Sequence, residues 1–195
     1  MQAPEALDGL PPAYQSRLDG VVKEVTKCID ATQKTPIVMY SSSDANGGYI
    51  NGRIYLSTAL FAYSNDVMSY ILAHEIAHQR FNHQSSRSAV TYGITGVMMV
   101  ADAFVPGVGL LNHVINPAIT RNAISKPQEL EADLAAYKAC LCMGMTKDDV
   151  ISAMEKIRGS DNEEGGGFWA AHPPWSERIQ AIQDAPAVGS QARTQ

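Results

Sequence analysis

The chain has 195 residues, 45% hydrophobic and 18% charged, which supplies a core for one packed domain and excludes a wholly disordered chain. Fifteen basic against twenty acidic residues give a net charge of −5 with no Lys/Arg-rich run, so no phosphate-tracking surface is expected and nucleic acid is not an expected partner. Three cysteines are too few for a disulfide scaffold, and five histidines are few enough that their positions carry information.

Residues 1–12 read as a polar leader stopped by Pro11-Pro12. They carry neither a basic n-region nor an apolar h-region, as in a cytoplasmic protein or one whose signal has been removed. Leu18, Val21, Val22, Val25 and Ile29 recur at three- and four-residue steps and predict a helix over Tyr14–Thr32. Pro36–Tyr40 reads as a short strand, Ser41–Gly48 as a turn-rich connection, and Ile50–Ser57 as a second strand opened by Asn51-Gly52. Ser64-Asn65-Asp66 caps a helix running from Val67 to about Asn82.

Ala89–Val114 is the strongest apolar stretch, but it contains four glycines, Pro106 and Asp102. A charge near the middle of a span costs about 2.5–3.5 kcal/mol, so a buried helix with an apolar loop is the preferred reading. That segment either folds over a cleft as a lid or makes a peripheral membrane contact. Pro127 opens a helix over Gln128–Met143 that Gly144 ends. Thr146 with Asp148 and Asp149 starts a helix reaching Ile157. Gly159–Gly167 is an acidic loop, Ser176–Ile182 a short helix, and 186–195 a flexible tail. The order predicts one α+β domain over 13–185, mainly helical with a small sheet.

The chemistry concentrates in His74-Glu75-Ile76-Ala77-His78, an H-E-x-x-H pattern inside a predicted helix. The four-residue step puts both imidazoles on one face, where they can reach a single Zn²⁺. Glu75 stands next to them as general base and then as acid to the leaving amine. A catalytic zinc takes a third protein ligand and keeps an open position. His83 stands too close along the same helix, on a different face, to be that ligand. Gln84 occupies the place of the third histidine in the H-x-x-G-x-x-H pattern, and Phe81 the place of its glycine.

A second block, Glu129-Leu130-Glu131-Ala132-Asp133, puts Glu129 and Asp133 on one helix face. Glu129 is suited to ligate zinc, and Asp133 to accept the second ring N–H of a ligand histidine. Ala132 leaves room for two helices to approach, and Glu131 points off the ligand face to solvent. His172 and Arg178 flank a Pro-Pro-Trp segment. Either can donate to the oxyanion of a hydrolytic step. Arg178 is equally suited to a salt bridge, and His172 to capping the cleft or taking the fourth zinc position. His113 reads as a loop histidine, and Trp169 and Trp175 as cleft wall or core. Cys28 pairs with Cys140 or Cys142 in an oxidising compartment; buried free thiols are the simpler reading.

In order, His74–His78, Gln128–Asp133 and His172-Pro173 with Arg178-Ile179 make the chain resemble the M48 family of zinc metallopeptidases. The soluble periplasmic (LoiP/BepA/Oma1-like) branch fits, because the long apolar helices of the transmembrane members are missing. Arg53–Ser57 and the preceding Gly52 resemble the family's edge strand, expected to line the cleft of a zincin-type fold. The resemblance implies one Zn²⁺ held by His74, His78 and Glu129, with Glu75 as base and Asp133 behind a ligand. It matches Arg178 to the family's arginine near the metal, and His172 to a histidine that can approach the zinc. It further implies an endopeptidase acting on unfolded or misassembled envelope proteins, in the periplasm or at the outer membrane. An extended polypeptide is its expected substrate, lying along Arg53–Leu56 as an added strand, and an envelope or outer-membrane protein an expected partner. The competing expectation is a non-catalytic or autoinhibited zinc-containing binding module, chaperone-like, at the cell envelope.

Overall fold

The computed structural model describes residues 4–29, 35–83, 117–160 and 174–186. The expected lid at 89–114, His113, the 161–167 part of the acidic loop, Trp169, His172 and the tail beyond residue 186 lie outside the described residues. The order is helix α1 (Pro12–Cys28), strands β1 (Ile37–Tyr40), β2 (Gly47–Ile50) and β3 (Arg53–Ser57), a 3-10 helix (Thr58–Ala62), then α2 (Asn65–Arg80), α3 (Pro117–Cys142), α4 (Lys147–Ser160) and α5 (Trp175–Asp184). It is a mainly helical α+β fold with a three-stranded sheet, as the sequence predicts.

Helix α2 is the centre of the molecule. Every residue from Val67 to His78 is buried, so it is covered on all sides rather than on one stripe. The sheet packs on one side of it, α1 and α4 on others, and α3 along the metal-motif face. Ala132, Ala136 and Ala139 of α3 are all buried, and their small side chains let the two helix axes approach closely. Arg17 of α1 fixes the entry to α2: its Nε donates to Asn65 Oδ1 at 2.8 Å and its Nη1 to the Phe61 carbonyl at 2.7 Å. Tyr14 stacks on Phe61 with ring centroids 4.3 Å apart.

The strand order is β1-β3-β2, with β1 parallel and β2 antiparallel to β3. This corrects the expected edge strand. Arg53–Ser57 is the central strand, and the edge beside α2 is Gly47–Ile50. Asn51 (φ 49°) and Gly52 (φ 79°) both have positive φ, the signature of a two-residue hairpin turn that folds β2 back onto β3. Gly47-Gly48 reads as turn in the sequence because glycine favours turns. In the fold Gly47 meets a different need: a Cβ there would lie 2.6 Å from Ile71 Cγ2 of α2. At the opposite edge the Leu7 N–H donates to the Met39 carbonyl at 2.9 Å, so the polar leader runs beside β1.

The start of α3 is a second correction. The helix begins at Pro117, and Pro127 lies inside it rather than opening it. A proline forfeits one backbone bond, yet the helix continues through Pro127 into the strong helix formers Gln128–Ala132, and Pro117 stands at the favoured N-terminal position. Its C-terminus follows expectation. Gly144 (φ 93°), with Met145 N–H donating to Cys140 O and Gly144 N–H to Leu141 O, both at 3.0 Å, closes a Schellman motif. Thr146 and Asp149 then exchange bonds, Thr146 N–H to Asp149 Oδ2 at 2.8 Å and Asp149 N–H to Thr146 Oγ1 at 3.1 Å, and cap α4. Cys28 and Cys142 form a disulfide joining the C-termini of α1 and α3, while Cys140 is a buried free thiol. This replaces the simpler reading of free thiols for two of the three cysteines. The pairing needs α1 beside α3, which no local pattern encodes.

Candidate metal centre

Ligand atoms of His74, His78 and Glu129 all lie within 4.8 Å of one another, and all three residues are buried. The i, i+4 step on α2 brings the two histidines together: their Nε2 atoms are 2.9 Å apart. Glu129, from the facing turn of α3, puts Oε2 at 3.2 Å from His74 Nε2 and 3.4 Å from His78 Nε2. Glu75 is buried beside them, and its Cγ lies against the open backbone of Gly47 on β2.

Asp133 fits behind His74 as its spacing from Glu129 suggests. His74 Nδ1 is 2.9 Å from Asp133 Oδ1, and Tyr70 Oη donates to the same oxygen at 2.7 Å. The Arg178 guanidinium, completely buried, donates from Nε to Oδ2 at 2.8 Å and from Nη2 to Oδ1 at 2.7 Å. Arg178 therefore faces the carboxylate, the salt-bridge alternative of the sequence reading, and its guanidinium packs 4.2 Å from the Trp175 ring centroid. Burial works to raise the Asp133 pKa, but the charge and bonds of Arg178 and His74 hold it well below the usual carboxylate range. Burial equally works against a positive charge on His74. Asp133, through its hydrogen bond and charge, and Glu129, through its hydrogen bond, outweigh it and lift the pKa to about 9.

These residues fit a zinc ion. Three potential ligand atoms converge at 2.9–3.4 Å from one another in a buried site whose carboxylates favour positive charge, where an ion would take the place of the proton on His74. The edge of a tetrahedron with bonds of ~2.0–2.1 Å is roughly 3.3 Å. Two imidazoles and one carboxylate would supply three protein ligands to such an ion, the donor set of a catalytic rather than a closed structural site.

Two residues enter the site that the sequence reading sets aside. Phe81 ends α2, and Asn82 (φ 54°) turns the chain left-handed, so His83 leaves the helix face and swings back under it. His83 Nδ1 lies 2.8 Å from His78 Nδ1, and His83 Nε2 lies 3.2 Å from Glu131 Oε2. The available signal was Asn82, since asparagine tolerates the left-handed conformation that ends helices. Tyr70 is also absent from the sequence reading, although it stands one helical turn before His74.

Residues 12–185 match the protein-family model described as Peptidase family M48. The chain is 25% identical over 182 residues to "Metalloprotease YcaL" of Escherichia coli (strain K12), covering 90% of this chain and 71% of that protein. It is 27% identical over 124 residues to "Mitochondrial metalloendopeptidase OMA1" of Schizosaccharomyces pombe, covering 61% of this chain and 36% of that protein.

Proposed function

As the chain belongs to peptidase family M48 and is a metallopeptidase, we propose that it is a zinc-dependent endopeptidase of the cell envelope, acting on unfolded or misassembled proteins. The buried convergence of His74, His78 and Glu129, with Glu75 beside it, is the observation that carries this reading. Bound zinc would supply a Lewis acid and lower the pKa of the attacking water. His74, His78 and Glu129 would hold the ion. Glu75 accepts the water proton and returns it to the departing amine. Asp133, clamped by Arg178 and Tyr70, fixes the ring of His74, which makes Arg178 a positioning residue.

The substrate binds as an extended strand along the edge of β2 rather than along Arg53–Leu56, because β3 already pairs on both sides. Main-chain pairing there makes recognition weakly sequence-selective and favours chains that have lost their fold. One observation supports the periplasm or outer membrane. The Cys28–Cys142 disulfide suits an oxidising compartment. Among the described residues, no helix is long and apolar enough to cross a membrane.

The test is Glu75→Gln. The variant is expected to keep one zinc per chain and to lose casein hydrolysis by at least about 100-fold, the lower end of what acid–base catalysis contributes. Hydrolysis at the wild-type rate would rule the mechanism out.

A further inference from the structure

The two ligand histidines are both backed, but by different groups. His74 rests on Asp133, a buried carboxylate. At His78 the described neighbour of Nδ1 is another imidazole, His83, at 2.8 Å. We propose that His83 and Glu131 form a relay that sets the tautomer and orientation of His78, making both of them positioning residues for the metal. The proposal rests on the zinc reading above.

A neutral imidazole has one N–H and one lone pair. If the lone pair of His78 Nε2 faces His74 and Glu129, its proton is on Nδ1 and needs an acceptor. His83 Nδ1 is the atom there, and it accepts only if the proton of His83 sits on Nε2. Glu131 Oε2, a pure acceptor 3.2 Å from that Nε2, selects this tautomer. The protons of both rings thus follow from the Glu131 carboxylate at the end of the row.

The placement of His83 is built rather than incidental. The left-handed Asn82 turns it back toward α2, and Gln128 Nε2 donates to the His83 carbonyl at 3.4 Å, so α3 grips its backbone as well. The His78 and His83 rings meet edge to face, with centroids 4.9 Å apart. His83 is buried, whereas the Glu131 side chain is 57% exposed. Helix α3 therefore supplies the carboxylate ligand, Glu129, and, two and four residues further on, both outer carboxylates of the centre, Glu131 and Asp133.

The experiment measures zinc affinity by competition with a chromophoric chelator on the full chain, for wild type, His83→Ala, His83→Asn and Glu131→Gln. Outer partners of ligand histidines contribute about 10–100-fold in affinity, so His83→Ala is expected to lose that much. His83→Asn, whose side-chain oxygen can accept from His78 Nδ1–H, recovers part of it, and Glu131→Gln shows a smaller loss. Long-range ¹H–¹⁵N spectra of the zinc form are expected to show the His83 proton on Nε2. Should His83→Ala fail to fold, Glu131→Gln decides, since its site is exposed. Affinities within about twofold of wild type in the folded variants would overturn the relay, as would a loss confined to His83→Ala or a His83 proton on Nδ1. A wild-type chain that binds no zinc would instead overturn the metallopeptidase reading on which the relay depends.

Discussion

His74, Asp133, Tyr70 and Arg178 form one buried hydrogen-bonded row, so removing a member leaves the others in an apolar medium without it. Arg178→Ala takes away two charge-assisted bonds to Asp133 and leaves the buried carboxylate to His74 and Tyr70 alone. The expected loss is about 3–5 kcal/mol in urea unfolding of the zinc-free protein, and Arg178→Lys recovers little because an ammonium lacks the fork. An unfolding midpoint equal to wild type would mean the pair is not buried in solution. Cys140 shows the same environment acting on a single group. Burial, helped by the charge of Asp66, pushes its thiol pKa up to about 12. Only a deprotonated thiol alkylates, so the native protein is expected to take no label at Cys140 at pH 8, and slow labelling to appear as pH rises toward that pKa. Rapid labelling at pH 8 would contradict the buried position.

The contact between α2 and β2 links the sheet edge to the general base. Gly47 is its narrowest point: an added Cβ would lie 2.6 Å from Ile71 Cγ2, 3.2 Å from Leu56 Cδ2 and 3.6 Å from Glu75 Cγ. Ile71 is branched, buried and on a helix packed on every side, so it has little room to yield. Gly47→Ala is expected to cost about 1–3 kcal/mol in chemical denaturation, as overpacking does, and to reduce peptide turnover more than zinc content. A variant with unchanged stability and turnover would show that β2 stands farther from α2 than this. The helix ends are built from short patterns: the Schellman glycine at 144 and the Thr146–Asp149 exchange hold α3 and α4 in a tight corner.

At the scale of the whole molecule, the disulfide spans 114 residues and encloses all three metal ligands and Glu75 between its ends. Closing a loop of ~100 residues restricts the unfolded chain by about 4–5 kcal/mol in the entropy model. Reductant is therefore expected to lower the melting temperature while the folded protein keeps its zinc, read by calorimetry and metal analysis. A melting temperature indifferent to reductant would argue that Cys28 and Cys142 are not joined. What the sequence determined by itself is local. The H-E-x-x-H spacing, the Glu129–Asp133 step, the Asn51-Gly52 turn and the Gly144 stop each act within about one helical turn or one hairpin, and period and backbone preference suffice to read them. Only the tertiary structure decided which faces meet. It set Arg178 on Asp133, brought His83 back to His78, joined Cys28 to Cys142, and made Gly47–Ile50 the edge beside the site. Periodicity marks the face a helix buries without naming its partner, and a glycine reads alike whether it frees a turn or makes room for a neighbouring side chain.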